Sequence, residues 1–141
     1  MNPESLGEPR GWSHGMLAPA GGRVLFVAGQ TARGPDGGIV SGGFVAQFEL
    51  ALERVLRVVS EAGGVPGDIG RMTVYVTDLA AYRGSLEPLG EAWRRQMGRH
   101  YPAMALVEVR GLVDEGALVE IEATAVLSSR AAPEADGDGQ R

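Results

Sequence analysis

The chain has 141 residues, 44% of them apolar, which is enough for one domain with a core of its own. It has no cysteine, and all 13 basic residues are arginine; this excludes a disulfide framework, a thiol nucleophile, a thiolate metal site and a Schiff base on a lysine. A net charge of −5 argues against nucleic-acid partners, and no apolar run approaches the roughly 18 to 20 residues of a membrane span.

The first ten residues are polar and carry Pro and Gly, so 1–10 are expected to form a loose lead-in. They lack the charged-then-apolar layout of a signal peptide, and a cytoplasmic location is expected. Met16 to Ala18 and Arg23 to Gly29 flank Gly21-Gly22, which suits a tight hairpin between two strands. In the second of them Val24, Phe26 and Ala28 alternate with Leu25 and Val27, so both faces are expected to be covered. Gly34 to Gly38 forms a loop. Phe44, Phe48, Leu52, Val55 and Val59 recur at helical spacing, and Gly63-Gly64 ends that helix. Met72 to Val76 is a β-branched strand. A second helix carries Leu86, Leu89, Trp93 and Met97 on one stripe, with Ser85 as N-cap and Pro88 in the first turn. Ala105 to Val109 and Ala117 to Leu127 supply two more strands. Residues 128–141 contain no large apolar side chain and are expected to be a disordered tail.

The order strand, strand, helix, strand, helix, strand, strand fits an α+β domain over 11–127, one mixed sheet with two helices on a single face. The other face would leave Val and Leu side chains bare, which favours an oligomer.

Glu120 and Glu122 sit two apart on the last strand and so share a face. Such a pair suits general acid–base work, and equally suits a polar strand face or an ion pair with Arg71 or Arg110. His14 is a candidate acid or base across a subunit cleft; the alternative is an exposed histidine at a strand start, and His100 is expected to pack or face solvent. Trp12 stacks on a ligand or covers the sheet end. Trp93 belongs to the core stripe, and Met104 fills a core or an interface. Two histidines without ligand spacing imply no zinc site, and no Gly-Lys-Ser/Thr follows the glycine pairs. Ser13 beside His14 is no triad, since neighbouring strand residues face opposite ways. No cofactor is implied.

Several short stretches occur together: Gly11-Trp12-Ser13-His14, Phe26-Val27-Ala28-Gly29-Gln30, Gln47 with Ala51-Leu52, Thr73-Val74-Tyr75-Val76-Thr77-Asp78, Tyr101-Pro102-Ala103 and Val119-Glu120-Ile121-Glu122-Ala123. In their order and spacing, from Gly11 to Val126, they resemble the RidA (YjgF) family, small proteins that hydrolyse reactive enamines and imines. The resemblance implies a chorismate-mutase-like trimer with three inter-subunit clefts. It gives Gly29 a backbone N–H aimed at the substrate and makes Glu120 the residue that positions the attacking water. Where the family's deaminases carry an arginine that clamps the substrate carboxylate, this chain has Met104; a thioether cannot make that bidentate pair. Trp12 replaces the family's tyrosine, His14 stands at a usual glutamine, and Glu87 aligns with a cleft asparagine. Leu106 would complete the wall with Trp12 and Met104. Arg33, in the loop after Gln30, is expected to be a solvated loop arginine; the alternative is that it reaches the cleft mouth and replaces the missing clamp.

The expectation is a RidA-like enzyme acting on an enamine, an imine or a related carbonyl compound, by hydrolysis or tautomerisation. The small 2-imino acids of the family are not expected as substrates. A trimer that binds a small metabolite without transforming it is the alternative, and RNA cleavage or translation inhibition is a third.

Overall fold

A computed structural model of the chain describes residues 1–128. Four strands, β1 (Arg23–Gln30), β2 (Ile69–Val76), β3 (Ala103–Glu108) and β4 (Val119–Leu127), form one sheet in the order β1-β4-β2-β3. β4 runs antiparallel to both β1 and β2, and β2 is parallel to β3. The crossover between those parallel strands carries two helices, α2 (Leu79–Arg83) and α3 (Leu86–Met97). The long helix α1 (Gly43–Glu61) lies between β1 and β2 in sequence, packs on β4 and β1, and contacts α3.

The helical stripes read from sequence are the buried ones except at their first residues: Phe44 is partly buried, and Leu86 is 58% exposed because it stands at the open start of its helix. Phe48, Leu52, Val55 and Val59 of α1 meet Leu89, Trp93 and Met97 of α3 over Met72, Val74, Ile121 and Ala125 of the sheet. α1 ends in a Schellman arrangement. Gly63 N–H donates to Ser60 O at 2.9 Å and Gly64 N–H to Val59 O at 2.9 Å, with Gly63 at φ +84°, where glycine carries no penalty.

The structure corrects the sequence reading at several places. Met16 to Ala18 is not a strand, and no hairpin runs through Gly21-Gly22. Gly15 instead exchanges two backbone hydrogen bonds with Met1, and Gly22 N–H closes a turn onto Pro19 O at 3.3 Å. Pro19 offers no N–H to a ladder, and Leu17 is left 82% exposed. β1 is therefore an edge strand with one bare face, and its Phe26 is 80% exposed. α2 has no apolar periodicity of its own to announce it. It is nucleated by Asp78, whose Oδ1 accepts from Ala80 N at 2.8 Å and Ala81 N at 3.3 Å. Ser85 holds the N-cap position of α3, but its side chain makes no capping bond; its carbonyl accepts Leu89 N–H at 3.0 Å.

The expected lead-in, 1–10, holds one 3-10 turn at Glu4–Leu6 and is tied to Gly11–Gly15. Asn2 Oδ1 accepts His14 N–H at 2.8 Å. The expected tail lies outside the described residues from 129 onward. Among the described residues no helix is long and apolar enough to cross a membrane.

Candidate functional site

Side chains alternate along a strand, so each strand places one set on the helix side of the sheet and one on the open side. In β3, Met104 and Leu106 pair in register with the fully buried Met72 and Val74 and pack against the helix-side core. In β4, Ile121 and Ala123 are buried on that side, which turns Glu120 and Glu122 to the open side. The residues read from sequence thus divide into two groups on opposite faces.

The first group surrounds a cleft of ≈ 520 Å³ between α3, β3 and the N-terminal segment. Met104 and Leu106 form its sheet wall, Leu86 and Leu89 its helix wall, and Trp12 its third side. Trp12 is brought there by Ser13, which bridges to Ala103 at the start of β3. Ser13 N–H donates to Pro102 O at 3.0 Å and Ser13 Oγ to Tyr101 O at 2.6 Å. Below lie Trp93 and Tyr101, stacked at 6.2 Å with 5° between planes; the indole N–H donates to His100 O at 3.1 Å. Among the described residues no carboxylate lines this cleft. The methionine gives it an apolar wall where an arginine would have put a charge.

The second group is Gly29 and Glu120. The β1–β4 register shifts between Val27 and Gln30, a bulge that re-aims the strand at Gly29. The Glu120 side chain lies directly across this glycine. A Cβ on Gly29 would sit 2.9 Å from the Glu120 carboxylate carbon and 3.0 Å from its Cγ. Among the described residues Glu120 has no hydrogen bond or ion pair, so its oxygens can accept from water or ligand. Glu122, next on the same face, accepts the Tyr75 hydroxyl at 2.7 Å and makes no ion pair with Arg71 or Arg110 among the described residues. That hydrogen bond to a carboxylate holds the Tyr75 phenol above its ordinary value of 10.0. By strand spacing, β4 stands two strands, roughly 10 Å, from β3.

Four named residues fall outside both groups. His14 donates from Nε2 to Gly7 O at 3.1 Å and meets Trp12 edge-on at 4.5 Å, which fixes the indole beside the cleft. Glu87 is exposed on the first turn of α3 and does not line the cleft; Leu86 and Gly90 do. Arg33 is held elsewhere, by Asp114 at 2.6 Å. Asp114 also accepts the Thr31 hydroxyl at 2.5 Å, and these two contacts, Thr31 first, keep its carboxyl below the ordinary value. His100 donates from Nε2 to Ile69 O at 2.7 Å and packs at the base of the aromatic pair.

Sequence reading missed two arginines in the cleft, Arg94 and Arg10. For Arg94 a signal exists. Leu86, Gly90 and Arg94 repeat every four residues, a stripe beside the core stripe Leu89, Trp93 and Met97.

A mixed sheet in the order β1-β4-β2-β3, with both long helices on one side, is the chorismate-mutase-like α+β architecture. Within that class the chain belongs to the endoribonuclease L-PSP family, which includes the YjgF/RidA proteins: residues 6–127 match it. It is 33% identical over 105 residues to the 2-iminobutanoate/2-iminopropanoate deaminase of Escherichia coli K12, covering 74% of this chain and 80% of that one. Among solved structures it is similar to the Rid-family protein YyfB of Yersinia pestis, with TM-score 0.77 and 32% identity, covering 90% of this chain and 96% of that one. It is also similar to Escherichia coli TdcF with bound serine, with TM-score 0.66 and 31% identity over 86% and 92% of the two chains.

Proposed function

We propose that the chain is an enzyme of small-molecule imine or enamine chemistry, working in clefts between the subunits of a homotrimer. The observation that carries this is the division of the site. Glu120 over Gly29 lies on the open face, and the apolar cleft lies on the helix side near the opposite sheet edge. Neither half is complete alone, and a second copy can bring its cleft to the Glu120 side. The bare apolar surface of Val24 and Phe26 beside Glu122 supports such an assembly. The deaminase name of the Escherichia coli relative and the serine bound to TdcF support a small-molecule substrate. The net charge of −5 weighs against RNA.

In the proposed hydrolysis Glu120 accepts a proton from water as the water oxygen bonds to the imine carbon. The C=N electron pair moves to nitrogen, which takes that proton from Glu120, giving a carbinolamine. Glu120 then takes the proton of the carbinolamine hydroxyl and passes it to the leaving nitrogen as the C–N bond breaks, giving a carbonyl compound and ammonia. Gly29 N–H stabilises charge on the polarised atom. For an enamine, the same carboxylate moves the proton of tautomerisation. The cleft around Met104, Trp12 and Leu106 takes a larger and more apolar body than the small imino acids carry.

The test is Glu120→Gln against a panel of imines generated in situ, with ammonia release and light scattering measured together. Turnover should fall by about 10²- to 10⁴-fold with the assembly intact. An unchanged rate overturns the mechanism. Ligand-dependent thermal stabilisation without product, from the whole panel, would assign a binding role instead.

A further inference from the structure

The cleft that has lost a guanidinium at Met104 has two others at its rim, and their placement is specific. Arg94 sits on α3 two turns beyond Leu86 and one turn beyond Gly90, all three lining the cleft. Gly90 has no side chain, and the Arg94 guanidinium folds back along the helix into that room: Nη1 lies 3.5 Å from the point a Gly90 Cβ would take. Arg10 reaches the same cleft from the N-terminal segment. Among the described residues neither has an ion-pair partner. Among the described residues no Asp or Glu lines the cleft, although acidic residues outnumber basic ones, 18 to 13, in the whole chain. The remaining lining is apolar or aromatic. Two cations and no anion around an apolar cleft describe a receptor for an amphipathic anion.

We propose that Arg94, assisted by Arg10, is the carboxylate-binding group of this cleft, so that the substrate class is a carboxylate bearing a bulky apolar or aromatic body. The charge has moved from the sheet wall to the helix wall. Met104 then contacts the apolar body that a guanidinium at 104 would have excluded. The acid group lies toward the α3 side and the body extends along β3 past Leu106. This rests on the cleft being the substrate half of the site proposed above, and it replaces loss of anion recognition with its relocation.

The test uses 3-phenylpropanoate and its neutral amide, 3-phenylpropanamide, as probes, with calorimetric titration of the wild-type assembly, Arg94→Gln, Arg94→Lys and Glu120→Gln. The acid should bind the wild type at least tenfold more tightly than the amide, the size expected of a hydrogen bond to a charged group. Arg94→Gln should erase that preference while leaving amide binding and melting temperature unchanged, since Arg94 is exposed and has no ion-pair partner among the described residues. Arg94→Lys should keep part of it. Equal binding of acid and amide by the wild type, no binding of either, or an undiminished preference in Arg94→Gln overturns the inference. Glu120→Gln should bind the acid as the wild type does. If that variant also retains full turnover, the catalytic reading fails while the anion preference stands. If turnover needs Glu120 but acid and amide bind alike, only the present inference fails.

Discussion

Replacing Gly29 by alanine perturbs the proposed catalytic half of the site without substituting Glu120 itself. The added methyl would lie 2.9 Å from the Glu120 carboxylate carbon and 3.0 Å from Glu120 Cγ, against about 3.5 to 4.0 Å for comfortable carbon contact. The deficit is therefore roughly half an ångström to one ångström. Gly29 stands beside a register shift in an edge strand paired only to β4. The Glu120 side chain is partly exposed and has no hydrogen bond or ion pair among the described residues, so it yields before the ladder does. The carboxylate swings off the glycine, and a displacement of about 1 Å at a reacting group costs on the order of 10²-fold in rate. The assay is imine hydrolysis followed by ammonia release in wild type, Gly29→Ala, Glu120→Gln and the double variant, with melting temperature as the folding control. Gly29→Ala should lose about 100-fold with little change in melting. The double variant should be no slower than Glu120→Gln, because both changes act on one group. Wild-type turnover in Gly29→Ala, or strictly multiplicative losses in the double variant, would refute a shared role for these residues.

Other outcomes follow from the same geometry. Met104→Arg should raise kcat/KM for 2-iminopropanoate by at least tenfold, the value of a charge-assisted pair; a wild type already as fast as the variant would show that Met104 does not limit that substrate. Gly90→Ala should stabilise the fold by about 1 kcal/mol in urea titration, since glycine is unfavourable inside a helix and the nearest atom to the new methyl is Arg94 Nη1 at 3.5 Å, ordinary contact. A lower midpoint would mean the site is tighter than that distance implies. Asp114 has a folded-state pKa below 3.8, so the unfolded chain binds its proton more readily. The stability it contributes is complete above 3.8 and disappears as pH falls through the lower folded value. An NMR titration of the Asp114 carboxyl should show a midpoint below 3.8, moved upward by Thr31→Val; a midpoint at or above 3.8 contradicts the assigned hydrogen bonds.

The sequence alone determined much of this protein. Period-four apolar residues from Phe44 to Val59 and from Leu86 to Met97 fixed both long helices, because their amphipathic faces have one way to be buried. Alternation in Val119 to Leu127 set Glu120 and Glu122 on one face. The ordered short stretches carried the family, and the methionine at 104 was visible by comparison with it. Met16 to Ala18 misled, since three apolar residues before a glycine pair look like a strand until the chain end and Pro19 claim their neighbours. α2 was missed because one side chain, Asp78, starts it.

Only the tertiary structure decided which residues meet. Alternation gives the facing of each side chain relative to its own strand, but not which face the helices cover or which strands become neighbours. Pairing β4 between β1 and β2 set Glu120 over Gly29. Pairing β3 at the far edge beside β2, with α3 alongside, gave Met104 its company of Trp12, Leu86 and Arg94. Strand order and helix placement arise from contacts between segments far apart in the chain, settled by burial of the whole core, and no local pattern encodes them.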